Sequence, residues 1–240
     1  MLRKIKNLLK PLSSTPLHPQ WVSARHQGRI RQLVAEAMQG PVVLDLGCGT
    51  KWSQELLPTS WRYVGLDYPE TAQWYEAKPD VFGDAQYLPF ADCTMNTILM
   101  LDVLEHIPNP RQALAEVSRC LARKGSLILI VPFLYPIHDA PHDYQRWSVY
   151  GLKKLAGEHG LMTAKENYSG NPLETAALLG NIALTKTVFN WISKRHPASL
   201  LVLVLPFALL ARNLCAWLLG RIAPEDAMMP ISYQLVLRKE

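Results

Sequence analysis

The sequence predicts an α/β protein built on a doubly wound, mostly parallel β-sheet. Three observations carry that expectation. A short apolar run, Val42 to Leu46, ends in a tight turn holding Gly47 and Gly49. A strand that runs into such a turn is the nucleotide cradle of Rossmann-type sheets. Two more short runs, Thr97 to Leu101 and Leu127 to Val131, are almost wholly apolar, as parallel strands covered on both faces must be. Between the strands lie segments of helical periodicity, and that alternation is the mark of a doubly wound sheet.

Length and composition set the frame. With 240 residues the chain can bury a full core in one sizeable domain and still carry an appendage. Hydrophobic residues at 49% against 19% charged exclude a disordered chain. Cys48, Cys93, Cys120 and Cys215 are scattered without a C-x-x-C pair, so neither a zinc cluster nor a disulfide framework is indicated. A reducing compartment, hence a cytoplasmic location, is the simple reading. The net charge of +5 points to an anionic partner, but part of it sits at the N-terminus, and no nucleic-acid partner is expected. Lysines interrupt the N-terminal apolar residues, so no cleavable signal peptide is expected.

In chain order, residues 1–19 read as a basic amphipathic leader and a linker. Leu2, Ile5, Leu8, Leu9 and Leu12 fall at helical spacing among Arg3, Lys4, Lys6 and Lys10. Such a segment can lie on an anionic membrane surface at about 1 kcal/mol per basic residue, or pack on the domain. A Ser/Pro-rich linker from Ser13 to Pro19 follows. Gln20 to Gln39 has a helical pattern stopped by Gly40-Pro41, and the first strand comes next.

The glycine turn discriminates between ligands. A dinucleotide fingerprint G-x-G-x-x-G needs a third glycine at position 52, which is Trp52. Asp45, two residues before Gly47, would repel a pyrophosphate and attract a ligand carrying an ammonium and a sulfonium. S-adenosylmethionine is such a ligand. Asp45-Leu46-Gly47-Cys48-Gly49 resembles the first motif of the class I S-adenosylmethionine-dependent methyltransferases. A helix from Ser53 to Leu57 is expected after the turn, then a strand from Arg62 to Leu66 closed by Asp67. That acid stands 20 residues beyond Gly47, where a Rossmann unit places the carboxylate for ribose hydroxyls.

The resemblance implies further residues. Val81-Phe82 starts a third strand, and Asp84 stands where the family accepts a hydrogen bond from the adenine amino group. The segment Asp102-Val103-Leu104-Glu105-His106 resembles the family's fourth motif, which implies that Asp102 lines the site. Glu105 and His106 can be solvated or can cap the next helix, and a direct role for His106 in the site is the alternative. That helix spans Arg111 to Arg123, with Lys124-Gly125 as its stop. A helix from Ser148 to Gly160, a strand from Leu161 to Tyr168 and a final strand from Ile231 to Lys239 complete seven strands. The family's last strand is antiparallel. The expected cofactor residues are Asp45, Gly47, Gly49, Asp67, Asp84 and Asp102. An NAD-dependent nucleotide-sugar oxidoreductase or epimerase is the opposing enzyme class, disfavoured by Trp52. A membrane-bound scaffold that binds the cofactor without turnover is the non-catalytic alternative.

Pro132 to Trp147 is the most individual stretch, leaving the carboxyl end of the fifth strand, where open α/β sheets bind ligands. Methyl transfer asks the protein for in-line positioning and removal of the acceptor's proton. His138 or His142 can serve as base with Asp143 orienting the ring, and Arg146 can hold a phosphate or carboxylate. An Asp143–Arg146 pair that pins the loop is the structural alternative. His138 and His142 with Asp139 and Asp143 also suggest a metal site, but Pro141 opposes a helical turn through both histidines and no clear third ligand follows, so no metal is expected. The stretch resembles bacterial methyltransferases that accompany surface-polysaccharide and lipid-linked sugar assembly. The resemblance implies a glycan, a lipid-linked sugar or a small molecule as acceptor.

The domain is expected over residues 20–170 and again at 231–240, interrupted by an apolar helical insert at 171–230. Within the insert, Ala198 to Ala211 holds 14 residues without charge, about 21 Å of helix against a hydrocarbon core of about 30 Å. Extending the run would place Arg212 mid-membrane. A final strand that rejoins the sheet excludes a single crossing. A re-entrant hairpin, an interfacial helix pair and a buried homodimer contact remain; peripheral attachment to the inner face of the cell membrane, helped by the N-terminal segment, is the reading taken.

Overall fold

The computed structural model describes residues 12–75, 78–224 and 226–240. Seven strands, β1 (Val42–Leu46), β2 (Arg62–Asp67), β3 (Val81–Phe82), β4 (Met95–Leu101), β5 (Leu121–Pro132), β6 (Leu161–Ser169) and β7 (Ser232–Lys239), form one sheet. Their order is β3-β2-β1-β4-β5-β7-β6. Pairing from β3 through β5 is parallel. β7 runs antiparallel to β5, from Ser126 opposite Arg238 to Pro132 opposite Ser232. The architecture is the doubly wound, seven-stranded sheet that the sequence predicts. The described residues divide into two compact units: residues 29–133, 137–167 and 232–240 hold most of the sheet, and residues 12–28, 134–136 and 168–231 make the second.

In the sheet unit, the carboxyl-terminal half of helix α1 (Trp21–Ala37) brings Leu33 and Val34, with Met38 just beyond the helix, against Val43, Leu99, Ile128, Ile130 and Val236. These residues are buried, so the central strands are apolar on both faces. Helix α2 (Pro69–Tyr75) is short. Helix α3 (Pro110–Cys120) starts with Asn109 as N-cap, its side chain accepting from the Gln112 amide, and proline in the first turn. Ala113, Leu114, Val117 and Cys120 are its buried face.

Two expectations are corrected here. Helix α3 ends at Cys120, and Lys124-Gly125 lies inside β5. There the register shifts between Met95 and Thr97 of β4, and Lys124 takes a left-handed φ of 61°. A Cβ on Gly125 would stand 2.9 Å from the Ala122 carbonyl and 3.1 Å from that of Asn96. The glycine thus serves a strand irregularity, which uses the same backbone conformations as a helix stop. The expected helix after the glycine turn is a single 3-10 segment, Trp52–Leu56. Helix α4 (Val149–Gly157), capped by Ser148, leads into β6.

The second unit is built on helices α5 (Pro172–Ser193) and α6 (Leu205–Ile222), joined through a 3-10 segment, Pro197–Leu203. Asn171 and Glu174 form a reciprocal capping box at the start of α5. The apolar run from Ala198 to Ala211 is therefore not one helix. Pro206, which has no amide hydrogen to give to a preceding turn, fits the first turn of a new helix. Arg212 lies within α6, its Nε donating to Asn181 Oδ1 at 2.9 Å. Asn181 Nδ2 donates to Asn213 Oδ1 at 2.8 Å, and Asn213 Nδ2 donates to the carbonyls of Pro16 and His18. Leu178, Trp21, Val22 and Ile231 form the unit's apolar cluster. The basic segment expected at residues 1–11 lies outside the described residues.

Candidate active site

The site begins where β1 ends. Gly47 has φ 67°, and a Cβ there would lie 2.5 Å from Val103 Cγ2. Only glycine meets both demands. The Gly47 and Cys48 amides both donate to the Leu66 carbonyl, at 2.8 and 3.1 Å, tying the turn to β2. Gly49 also has positive φ, 49°, but its Cβ position faces open space. Asp67, 6% exposed at the end of β2, accepts from the Gly49 amide at 2.9 Å through Oδ2 and from the Tyr68 amide at 2.8 Å through Oδ1. The acid thus holds the turn in shape while keeping lone pairs for a ligand. An open cleft of about 530 Å³ adjoins the turn, lined by Gly49, Thr50, Lys51, Gln54, Glu55 and Lys78.

Beyond the turn the structure departs from a phosphate cradle. Lys51 is left-handed at φ 59°, and its Nζ pairs with Asp80 at 2.7 Å. Trp52 packs on the core beside Leu56, Leu57 and Trp61. A dinucleotide fold needs a third glycine and a helix N-terminus here; this chain supplies an indole and one 3-10 turn.

Asp45 lies beneath the turn rather than on its surface. It is 3% exposed and accepts from the Ser53 and Tyr63 hydroxyls, the latter at 2.8 Å. Burial pushes its carboxyl up to about 6, with the two hydroxyls pulling against that and the charge of Asp67 adding to it. Asp84, two residues past β3, accepts from the Gln86 amide at 2.8 Å and from the Gln86 side chain. Asp102 follows β4 with φ 58°, its amide donating to Ile130 at 2.9 Å. Asp102 is open to solvent on one side; the protein enclosing its other sides raises its carboxyl, and the charge of His138 opposes that rise. All six expected cofactor residues therefore stand at or just past the ends of β1 to β4.

The stretch from Pro132 to Trp147 brings Asp143, Arg146 and His138 together. Asp143 is nearly inaccessible and takes a bidentate ion pair from Arg146, at 2.5 and 2.7 Å. Burial alone would raise its carboxyl; the guanidinium and the His138 amide outweigh it and hold the carboxyl at about 2. The same Oδ2 accepts from the His138 amide at 2.9 Å and lies 3.3 Å from His138 Nδ1. Asp143 thus orients His138 and not His142, whose ring stands 3.2 Å from the Tyr144 hydroxyl. Arg146 commits both terminal nitrogens to Asp143, so the pair pins the loop. No helix forms between His138 and His142.

One residue of this site escapes the sequence reading: Glu105, expected to be solvated or to cap the next helix, is fully buried in the 3-10 turn Leu104–His106. Its Oε1 lies 3.7 Å from His106 Nε2 and 3.9 Å from His138 Nε2. Burial, then the charge of Asp102, raises its carboxyl. Burial likewise lowers His106, whose Nδ1 donates to the His142 carbonyl at 2.7 Å. The available signal was two adjacent titratable residues just past a buried strand end.

Comparison with known proteins agrees with this geometry. Residues 44–129 match the model of a family described as a methyltransferase domain. A protein of Mycolicibacterium paratuberculosis, described as an uncharacterized methyltransferase, is 28% identical over 158 residues, 60% of this chain and 61% of that one. A 2-phytyl-1,4-naphtoquinone methyltransferase of Thermosynechococcus vestitus is 29% identical over 145 residues, 55% of this chain and 64% of its own. The chain thus spans less than two thirds of the length of these curated relatives. The crystal structure of a protein assigned as a sarcosine dimethylglycine methyltransferase, from Galdieria sulphuraria, superposes with a TM-score of 0.53 at 16% identity, covering 92% of this chain and 84% of that one. The open space before Gly49 and the strand-end carboxylate of Asp67 suit an adenosine-bearing ligand, and the chain has the class I S-adenosylmethionine-dependent methyltransferase fold, with S-adenosylmethionine as the cofactor this domain implies.

Proposed function

We propose that this protein transfers a methyl group from S-adenosylmethionine to a hydroxyl, carboxylate or amine on a glycan, a lipid-linked sugar or a small molecule. The observation that carries the reading is the Gly47–Gly49 turn closed by Asp67, inside a segment that matches a methyltransferase domain. When bound, the cofactor supplies a methyl group on a sulfonium, already a good leaving group. In this reading Asp67 takes the ribose hydroxyls, Asp84 the adenine amino group, and the buried charge of Asp45 favours the cationic methionine end. Asp102 lines the methyl side. The histidines of the acceptor loop, His138 and His142, take the acceptor's proton, with Asp143 and Arg146 holding His138 in place. The test is thermal shift with S-adenosylhomocysteine against NAD. Stabilisation by S-adenosylhomocysteine is expected, and stabilisation by NAD alone would overturn the reading.

We also propose a location on the inner face of the cell membrane. Helix α6 is 18 residues long and apolar enough to cross a membrane, yet only 22% of it is buried. Leu200, Leu203, Phe207, Leu218 and Ile222 are exposed in this unit, while Arg25 and Arg221 lie over the half-buried Trp217, residue types suited to the headgroup level. β7 pairs with β5, so the chain returns to the sheet after the insert and a single crossing is excluded. Interfacial seating of α5 and α6 fits that topology, and the naphthoquinone methyltransferase among the relatives offers a parallel for an acceptor with an apolar chain. The basic segment at residues 1–11 would cooperate. Flotation with anionic liposomes tests this; protein that stays in the soluble fraction, or elutes as a dimer with this face protected, would count against it.

A further inference from the structure

We propose that Glu105, His106 and His138 form a binding site for a divalent cation of the zinc class. Their ligand atoms all lie within 4.8 Å of one another. The two Nε2 atoms approach the same carboxylate oxygen, Glu105 Oε1, at 3.7 and 3.9 Å. These separations are too long for hydrogen bonds. A tetrahedral ion with bonds of about 2.0–2.2 Å sets its ligand atoms about 3.4 Å apart, so small side-chain rotations bring all three onto one centre.

The surroundings of the three groups support the same assignment. Glu105 is fully buried, and neither of its carboxylate oxygens has a hydrogen-bond partner among the described residues. A buried carboxyl without hydrogen bonds must keep its proton or meet a cation. Each imidazole is held from its far side. His106 Nδ1 donates to the His142 carbonyl at 2.7 Å, which leaves the Nε2 lone pair toward Glu105. His138 Nδ1 has Asp143 Oδ2 at 3.3 Å and Arg146 Nη2 at 3.5 Å. The tautomer with its proton on Nδ1, directed at Asp143, is the one that turns the Nε2 lone pair of His138 toward Glu105, and a cation there would select it over the tautomer in which Nδ1 accepts from Arg146. Fixing the distal ring nitrogen with a carbonyl or a carboxylate is how proteins orient metal-binding histidines. Two imidazoles and one carboxylate suit zinc, and three protein ligands leave a position for water or a substrate oxygen.

This pairing differs from the His138–His142 spacing in the sequence, because the ring of His142 turns to Tyr144. Its functional consequence rests on the methyl-transfer reading; the site itself does not. A cation on Nε2 of His138 and a proton taken by that nitrogen are mutually exclusive, so a metal-bearing site leaves His142 as the imidazole base and presents the cation to an oxygen acceptor.

The full-length protein is stripped with EDTA, exchanged into chelator-free buffer and titrated with zinc chloride by calorimetry. One zinc ion per chain is expected. Glu105→Gln and His138→Ala should each weaken binding at least tenfold, and His106→Ala with His138→Ala should abolish it. His142→Ala should retain the parent affinity for zinc. Thermal unfolding in EDTA checks that each variant folds, and the near-isosteric Glu105→Gln keeps the test available if a histidine substitution loosens the loop. A parent protein that takes up no zinc, or affinity that survives Glu105→Gln and the double substitution, overturns the site. S-adenosylhomocysteine binding, measured on the same preparations, reports on the cofactor pocket separately.

Discussion

Replacing Asp45 by Asn tests the charge beneath the glycine turn. The native carboxyl moves from an ordinary 3.8 to about 6 on folding, first because it is buried. At 1.36 kcal/mol per pH unit, that displacement corresponds to about 3 kcal/mol. The sign follows from proton uptake. Between pH 3.8 and 6 the folded chain holds the Asp45 proton more firmly than the unfolded chain, so stability falls as pH rises through that window and is level above it. Integrating the two titrations, about 1.4 kcal/mol of the loss accrues between pH 5 and pH 8. Asparagine stays neutral and can still accept from Ser53 and Tyr63. Urea unfolding of both proteins across that range should therefore show the variant gaining about 1.4 kcal/mol on the parent at the alkaline end. Parallel curves would refute the reasoning. Ligand binding should move the other way. Parent affinity for S-adenosylhomocysteine should strengthen as pH rises through about 6, whereas the variant should bind about tenfold or more weakly at pH 8, with little pH dependence, on the scale of a lost charged contact.

The two turn glycines should separate stability from binding. Gly47→Ala meets both a left-handed backbone and Val103 at 2.5 Å, and should lower stability by about 2 kcal/mol or more in denaturant. Gly49→Ala carries only the backbone penalty of about 1–2 kcal/mol, but puts a methyl group into the open space before the turn, so calorimetry should show a larger loss of S-adenosylhomocysteine affinity than of stability. Asp67→Ala removes the acceptor of the Gly49 amide and should weaken S-adenosylhomocysteine binding about tenfold or more; unchanged affinity would remove Asp67 from the site. Asn213→Ala strips partners from Asn181 and from the carbonyls of Pro16 and His18, and should destabilise by about 1–3 kcal/mol, read as a lower unfolding midpoint.

Much of the sheet was legible because its rules are local. Leu127 to Val131 is apolar enough to be a buried strand in any context, and Gly47 and Gly49 stand where the backbone takes positive φ. The failures came where one local signal serves two structures. Lys124-Gly125 suits a helix stop as well as a strand irregularity, and only the pairing of β4 with β5 decides. Ser53 to Leu57 carries no mark of 3-10 geometry; the packing of Trp52 on the core separates it from a longer helix. The division of Ala198 to Ile222 into a 3-10 segment and a helix was signalled by Pro206, which the apolar composition around it obscured.

The acceptor side was less legible because its burial comes from segments more than thirty residues apart in sequence. The amide of Tyr144 donates to the Glu105 carbonyl at 2.9 Å, Gln145 Nε2 donates to the Ile107 carbonyl at 3.0 Å, and His106 Nδ1 donates to the His142 carbonyl. With the His138 amide held by Asp143, these bonds stitch residues 138–146 onto residues 105–107. None is implied by periodicity or composition, since three of the four use a backbone carbonyl that any residue could offer. Their effect is specific all the same. Each imidazole is fixed by a bond at Nδ1 or at the backbone, and Glu105 is closed off from water by the loop that supplies His138. A group oriented before its ligand arrives loses little freedom on binding. If methyl transfer is the reaction, the stitched loop is a preformed wall beside the acceptor, and discrimination among acceptors falls to what fits against His106 and His138.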